Sequence, residues 1–156
     1  MQSIVVILHN IRSTHNVGSV FRTADAVGVS KIYLTGYTPA PIDEFKRERK
    51  DISKVSLGAE KNVPWKKVEI LSTLENLKSD GYSIVALEQS LKSVDYKKIK
   101  ISGKTVIILG NEVGGIEESI LKKCDQIAEI PMKGKKESLN VSVAAGIFLF
   151  RLLDKF

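Results

Sequence analysis

The sequence is nearly free of cysteine and has no long hydrophobic run. Its single cysteine, Cys124, excludes an internal disulfide and a cysteine-rich zinc site, so we expect a reducing, cytoplasmic location and no metal. No apolar run approaches the roughly 18 residues that a membrane helix needs. The first residues lack the basic start and the small-residue cleavage site of a signal peptide. We therefore predict a protein that does not enter or span a membrane.

Proline is also scarce, and the overall composition is that of a compact fold. The chain has 156 residues, of which 43% are hydrophobic and 27% charged, with 4 prolines and 11 glycines. These proportions argue against disorder and against a collagen-like repeat. We assign the whole chain, residues 1–156, to one domain.

Basic residues exceed acidic ones without forming a basic tail. There are 24 Lys and Arg against 18 Asp and Glu, which gives a net charge of +6. Local clusters occur at residues 46–50, 97–100 and 133–136. Such clusters can follow a phosphate backbone, but a lysine-rich solvated surface has the same composition. Charge alone therefore permits a nucleic-acid partner and leaves the alternative open.

Short apolar runs alternate with helical patterns along the chain. The runs predict strands at 3–8, 31–35, 68–71, 83–87, 105–109 and 126–130. Helical spacing predicts helices at 16–27, from 72 to a stop at 80–81, at 117–123 and at 141–153, and the charged stretch from 39 to 54 predicts a loop and a helix. Continuous apolar strands separated by helices are typical of an α/β fold, a mostly parallel sheet with helices on both faces.

The last helix is apolar nearly all round. The apolar positions of residues 141–153 are too evenly distributed for one covered face. We expect part of this helix to pack on a second subunit.

Polar segments follow four predicted strands, where open parallel sheets bind ligands. In the first, residues 10–23, Asn16 is predicted as the helix N-cap and Arg22 lies in the second helical turn. Amide groups and backbone N–H groups at a helix start suit an anion or a sugar edge, although a plain helix cap has the same pattern. The fourth segment, 87–90, follows a predicted strand and ends in polar residues.

The other two segments are a glycine-rich loop at 109–115 and a Ser-Leu-Asn segment within 130–144. The glycine-rich loop lacks the Lys-Ser/Thr pair of a phosphate loop and does not have the spacing of the dinucleotide fingerprint. Its glycines suggest a close backbone approach to a ligand, or an ordinary turn. Ser138 and Asn140 lie where the segment 130–144 enters the last helix, and Asn140 is a candidate N-cap there.

Three of these segments together resemble the SpoU (TrmH) branch of the SPOUT RNA methyltransferases. The family's first motif, N-x-R-(S/T)-x-x-N-x-G-x-(I/V)-x-R-(S/T), is matched by Asn10, Arg12, Ser13, Asn16, Gly18, Val20, Arg22 and Thr23. Its second motif, L-G-x-E-x-x-G, is matched by Leu109, Gly110, Glu112 and Gly115. Its third, I-P-M-x-G-x-x-x-S-L-N-V-S-V-A, is matched at every fixed position from Ile130 to Ala144. The motifs occur in the family's order and spacing, and the resemblance covers essentially the whole chain.

The resemblance implies a fold with a deep C-terminal trefoil knot, a homodimer with the active site near the interface, and transfer of a methyl group from S-adenosylmethionine to a ribose 2′-hydroxyl of RNA. It implies five catalytic residues: Arg22, Asn16, Glu112, Ser138 and Asn140. It implies a cofactor pocket lined by Leu87, Glu88, Leu109, Gly110, Ile130, Met132, Ser138 and Leu139. We expect tRNA as the substrate first and rRNA second.

Two questions about mechanism and class stay open at the level of sequence. Arg22 is either the general base of the family's mechanism or a cation that holds the neighbouring phosphate, which is easier for a group with a pKa above about 12. Glu112 is expected to orient Arg22 or Asn16. The alternative functions are a SPOUT methyltransferase that acts on a base and a catalytically idle RNA-binding module.

Overall fold

A computed structural model describes residues 2–154, and its seven strands form one parallel sheet. The strands are β1 (Ser3–His9), β2 (Lys31–Thr35), β3 (Trp65–Lys67), β4 (Ser83–Leu87), β5 (Val94–Asp95), β6 (Lys104–Leu109) and β7 (Gln126–Glu129). Their order across the sheet is β3-β2-β1-β6-β4-β7-β5, and every neighbouring pair is parallel. The predicted α/β fold with a parallel sheet is therefore confirmed.

Within residues 2–154, six helices cover both faces of this sheet. They are α1 (Thr14–Val27), α2 (Lys50–Ser56), α3 (Ala59–Asn62), α4 (Ile70–Ser79), α5 (Glu118–Leu121) and α6 (Val141–Leu153). Apolar residues of α1, α2, α3 and α6 form a core with one face, and those of α4 and α5 form a core with the other. Alternate residues of β1 enter the two cores, since successive side chains of a strand point to opposite faces.

The predicted start of the first helix was two residues late. Ser13, not Asn16, is the N-cap of α1: its backbone is extended and its side chain accepts a hydrogen bond from the backbone N of Asn16. Asn16 therefore lies inside the first turn and is buried. With the helix starting at Thr14, Arg22 lies in its third turn and not its second.

The strand predicted at 68–71 was wrong, and β5 was not predicted. Glu69 is the N-cap of α4, where its carboxylate accepts hydrogen bonds from the backbone N of Leu71 and of Ser72. Ile70 thereby begins a helix, and the strand beside β2 is the edge strand β3 at Trp65–Lys67. The two-residue edge strand β5 is too short to give an alternating pattern.

The other boundaries differ from the predictions by a few residues. Strands 31–35 and 83–87 and helix 141–153 are confirmed with their predicted bounds. The helix predicted at 117–123 is only four residues long, because the backbone N of Asp125 donates to the carbonyl of Ile84 and draws the chain back to the sheet. Within residues 2–154, none of the helices has the length and apolarity that a bilayer crossing demands.

Candidate functional site

The loops that carry the predicted site residues meet at one edge of the sheet. Strands β1, β6, β4 and β7 are adjacent and parallel, so the segments that follow them leave the sheet side by side. These segments include residues 10–13, 110–117, 88–93 and 130–140. This arrangement brings parts of the chain together that are more than 100 residues apart, as the hydrogen bond between Asn140 and Asn16 shows.

A cavity of about 210 Å³ lies between the loops after β4, β6 and β7 and the start of α6. All eight residues predicted to bind the cofactor line it: Leu87, Glu88, Leu109, Gly110, Ile130, Met132, Ser138 and Leu139. The wall is completed by residues that were not predicted to bind the cofactor, including Gln89, Glu129, Val141 and Ala144. Aliphatic side chains, polar side chains and the backbone of the glycine-rich loop therefore line one pocket.

Two glycines of this loop are required by close packing. A Cβ on Gly110 would lie 2.4 Å from Cγ1 of Ile116 and 2.8 Å from the backbone of Gly115. Gly115 has a φ of +68°, and a Cβ there would lie 2.2 Å from Oε2 of Glu88. The loop therefore folds back against β6 and leaves the cavity open beside it.

Glu88 shapes the pocket through its hydrogen bonds to the backbone. Its carboxylate oxygens accept hydrogen bonds from the backbone N of Gln89 and of Ile116, each at 2.9 Å. These contacts tie the end of β4 to the glycine-rich loop. Glu88 thus fixes two walls of the cavity relative to each other.

Three of the five predicted catalytic residues form a hydrogen-bonded chain at the border of the cavity. The amide Nδ2 of Asn16 donates to Oε1 of Glu112 at 3.2 Å, and Nδ2 of Asn140 donates to Oδ1 of Asn16 at 3.2 Å. Asn16 is only 6% exposed. Asn140 is the N-cap of α6 and accepts from the backbone N of Ser142. Each amide orientation is therefore fixed by two partners.

Glu112 is held as a carboxylate by this network. Burial alone would raise its pKa, but hydrogen bonds from the backbone N–H groups of Glu112, Arg12 and Ser13 and from the amide of Asn16 outweigh it and leave the pKa below its ordinary value. The N–H donors of Arg12 and Ser13 lie 3.1 and 3.2 Å from the carboxylate oxygens. An ionised Glu112 is a good orienting acceptor and a weak proton acceptor at neutral pH.

The structure does not bring Arg22 and Ser138 into this chain. Ser138 lines the cavity but is exposed, and makes no hydrogen bond within residues 2–154. Arg22 is exposed on α1 and is about 120° around the helix from Asn16. Within the described part of the chain its guanidinium has no hydrogen bond or ion pair. Of the two predicted partners of Glu112, only Asn16 binds it in the protomer.

Asn111 is the organising residue that sequence reasoning missed. Its Oδ1 accepts from the backbone N of Val113 and of Gly114, and its Nδ2 donates to the carbonyl of Asn10 and to the hydroxyl of Tyr37. An Asn directly after a strand and before Gly-rich residues is a signal for such a turn. Asn111 connects the glycine-rich loop to the loops after β1 and β2.

His9 and Glu117 form a second link behind the site. His9 is 5% exposed, and its ring nitrogens contact the hydroxyl of Thr35 at 2.8 Å and a carboxylate oxygen of Glu117 at 2.9 Å. Glu117 also accepts from the amide of Asn10. These contacts hold the end of β1 against the end of the glycine-rich loop. Among residues 2–154, no group of three or more His, Cys, Asp or Glu is arranged to hold a metal.

Comparison with known proteins places this geometry in one family. The family model described as the SpoU rRNA Methylase family matches residues 3–150. A curated relative from Staphylococcus saprophyticus, whose name places it in the TrmH family of tRNA/rRNA methyltransferases, is 34% identical over 154 residues. The match covers 98% of this chain and 59% of the relative, so the chain spans little more than half the length of that protein.

Two solved structures have the same fold. The AdoMet-bound rRNA methyltransferase from Sinorhizobium meliloti has a TM-score of 0.90 and 29% identity, and the match covers 99% of this chain and 57% of that one. The TrmH/SpoU tRNA modifying enzyme from A. aeolicus has a TM-score of 0.86 and 32% identity, with 99% and 76% covered.

Proposed function

Since the chain belongs to the SpoU family of RNA methyltransferases, we propose that it transfers a methyl group from S-adenosylmethionine to a ribose 2′-hydroxyl of RNA. One observation carries the proposal: three separated motifs supply the wall of a single cavity and the hydrogen-bonded chain of Glu112, Asn16 and Asn140 at its border. The AdoMet-bound structure of the Sinorhizobium meliloti relative supports the cofactor assignment.

The residues that line the cavity fit S-adenosylmethionine. Leu87, Leu109, Ile130 and Leu139 offer apolar surface to an adenine ring, and the backbone of the glycine-rich loop offers hydrogen bonds to its edge. Gly110 has no side chain, so the glycine-rich loop can pack closely against Ile116 and Gly115 beside the cavity. When bound, this cofactor supplies an electrophilic methyl group on a sulfonium.

The polar chain would orient the ribose. A ribose hydroxyl is a poor nucleophile, so position and proton acceptance limit the reaction. Ionised Glu112 fixes the amide of Asn16, and Asn16 fixes the amide of Asn140, which leaves oriented amide groups at the mouth of the cavity. Asn140 and Ser138, two residues apart before α6, would hold the sugar hydroxyls.

Arg22 would hold the RNA phosphate beside the target ribose. A guanidinium keeps its proton at neutral pH, so it binds a phosphate more readily than it acts as a base. The phosphate held by Arg22 would lie beside the 2′-hydroxyl and help to take its proton as the oxygen attacks the methyl group. Exposure of Arg22 and the lack of a partner for it within residues 2–154 support this role.

The proposal includes a homodimer and the C-terminal trefoil knot of the family. Because Arg22 does not contact Glu112 or Asn140 within one protomer, a dimer with the site near its interface would let Arg22 of one protomer complete the site of the other. The exposed apolar residues of α6, among them Phe150 and Leu153, support a subunit contact. The knot rests on the family resemblance.

We propose tRNA as the substrate before rRNA, and a reducing cytoplasmic location. The tRNA modifying enzyme from A. aeolicus matches over 76% of its length, whereas the rRNA methyltransferase from Sinorhizobium meliloti matches over 57%. The test is methyl transfer to total tRNA and to rRNA, followed by mass spectrometry of the nucleosides. A methyl group on ribose in tRNA is the expected result. A methyl group on a base, or none with RNA still bound, would contradict the proposal.

A further inference from the structure

A second cavity lies beside the proposed cofactor pocket, at the end of β2. It has a volume of about 680 Å³ and is enclosed by the segment 37–49 and by β3. Three aromatic and three cationic side chains line it: Tyr37, Phe45, Trp65, Arg47, Arg49 and Lys67. Two carboxylates, Asp43 and Glu44, line it as well, and Asp43 forms an ion pair with Arg47. This combination of flat rings and cations is the one that single-stranded nucleic acid requires.

Two aromatic side chains of this cavity, those of Tyr37 and Phe45, are largely exposed to solvent. Phe45 is 69% exposed and Tyr37 is 56% exposed. Exposed aromatic residues that cluster around a cavity are a feature of binding surfaces. The guanidinium of Arg47 lies over one face of the Phe45 ring, 4.9 Å from its centroid, and the base would stack on the other face.

The segment that carries Phe45 is held in shape before any ligand binds. The backbone N of Asp43 donates to the carbonyl of Arg47, and the backbone N of Arg49 donates to the carbonyl of Pro41. The carboxylate of Asp43 also accepts from the backbone N of Phe45 and of Arg47. Phe45 is therefore presented by a closed hairpin, which lowers the entropy cost of binding.

Two of the cations in the cavity, Arg49 and Lys67, form no ion pair within residues 2–154. Nε of Arg49 is buried without a hydrogen-bond partner in residues 2–154, and Lys67 donates to the carbonyl of Thr38. No carboxylate within the described residues pairs with either of them. Burial lowers the pKa of Lys67, and the charge of Arg49 lowers it further, so the two cations are close enough to repel. An anion between them would relieve that repulsion.

Asn111 joins the two cavities. It lines the proposed cofactor pocket, and its Nδ2 donates to the hydroxyl of Tyr37 at 2.7 Å in the wall of the second cavity. Both cavities lie at the same edge of the sheet. An RNA strand that places one nucleotide at the first cavity would pass the second.

We propose that the second cavity binds an unpaired nucleotide of the RNA close to the methylated one. Its base stacks on Phe45, and its phosphate lies between Arg49 and Lys67. This proposal rests on the proposed function for the identity of the reaction, but it concerns RNA binding alone and can be measured without methyl transfer.

The test measures binding of a fluorescein-labelled uridine decamer by anisotropy, without cofactor. We expect Phe45→Ala to weaken binding about 5- to 150-fold, the range for loss of one stacked base, and Phe45→Trp to retain it. Arg49→Gln should weaken binding and reduce the slope of log K against log salt by about 0.7, the value for one phosphate contact on a single strand. Leu71→Ala and Lys122→Gln, at exposed positions outside both cavities, are the matched controls.

Each outcome decides the proposal. Loss of binding in Phe45→Ala and Arg49→Gln, with unchanged circular dichroism and unchanged controls, supports it. A wild-type protein that does not bind the decamer, or variants that bind it as the wild type does, would overturn it. A shift from dimer to monomer in Phe45→Ala with RNA binding intact would instead assign the cavity to a second copy of this chain. If wild-type protein methylates no ribose while the variants still lose RNA binding, the proposed function fails and the nucleotide site stands.

Discussion

Arg22 differs from Asn16, Glu112 and Asn140 because its side chain has no hydrogen bond or ion pair in residues 2–154. We predict that Arg22→Ala lowers turnover about 100- to 1,000-fold, the cost of losing one group that stabilises charge at the reacting atoms. S-adenosylmethionine should still bind, since Arg22 does not line the cavity. Methyl transfer and calorimetry on the same sample check both parts. Calorimetric loss of cofactor affinity would contradict the role of Arg22 as a phosphate anchor.

The structure leaves no space for a side chain at Gly110. We predict that Gly110→Ala weakens binding of S-adenosylmethionine by about tenfold or more, because the new Cβ meets Ile116 and the backbone of Gly115, and the loop must shift. Calorimetric titration measures the change. Gly134→Ala is the matched control, since a Cβ there meets no atom within 4 Å. Equal affinities in both variants would show that the loop adapts.

Cys124 is expected to be chemically inert in the folded protein. Burial raises the pKa of its thiol to about 11, an effect that the charge of Lys78 partly offsets. At pH 8 only about a thousandth of the thiol is then ionised, and the thiolate is the reactive form. We predict slow reaction with an aromatic disulfide reagent at pH 8 and fast reaction after denaturation in urea. Fast reaction of the native protein would show that the thiol is less buried.

At the scale of the elements, the start of α1 connects local stability to the site. Ser13 caps the helix, and its backbone N donates to Glu112. We predict that Ser13→Ala lowers the free energy of unfolding by about 1 kcal/mol, the usual value for a lost N-cap. Urea unfolding at fixed protein concentration measures this. Ser13→Thr, which keeps the hydroxyl, should unfold like the wild type, and equal loss in both variants would argue against capping as the cause.

Buried elements were predictable from the sequence and edge elements were not. The continuous apolar runs of β1, β4 and β6 are buried on both faces and could be read directly. Strand β3 has two exposed residues of three, and β5 has only two residues, so neither has a pattern to detect. The cap of α4 is a Glu, which is not among the preferred capping residues, and this explains the misplaced strand at 68–71.

The residues that line the cavity were predictable from the family resemblance, whereas the contacts between them were not. All eight proposed cofactor residues line the cavity, and they come from the ends of β4 and β6 and from the segment after β7. The links through Asn111 and through His9 and Glu117 depend on which loops become neighbours in the sheet. Sheet order is set by long-range pairing and is not encoded in local spacing.

At the scale of the whole molecule, α6 is apolar on both sides and only one side is covered. Phe148, Leu149 and Leu152 are buried, whereas Phe150 is 51% exposed and Ile147 and Leu153 are exposed beside it. We predict that Phe150→Glu converts the proposed dimer to a monomer, because a charge at the centre of an apolar contact is costly to bury. Sedimentation velocity at micromolar concentration measures the change.

The control for that experiment is Leu71→Glu, an exposed apolar position on the other face of the sheet, which should leave the sedimentation coefficient unchanged. If the site needs Arg22 from a second protomer, Phe150→Glu also abolishes methyl transfer. A wild-type protein that is already monomeric and active would contradict the shared site.

Strand β1 lies in the middle of the sheet, and one of its two partners, β6, follows it by about 100 residues along the chain. During synthesis, the second edge of β1 therefore stays unpaired until about 100 further residues have left the ribosome. Closing so large a loop costs conformational entropy before the contacts that stabilise it have formed. Folding should therefore be slow for a chain of this length. Until then one edge of this strand of Val, Ile and Leu is unpaired and can pair with other nascent chains. The strand order therefore makes the chain depend on chaperones while it folds.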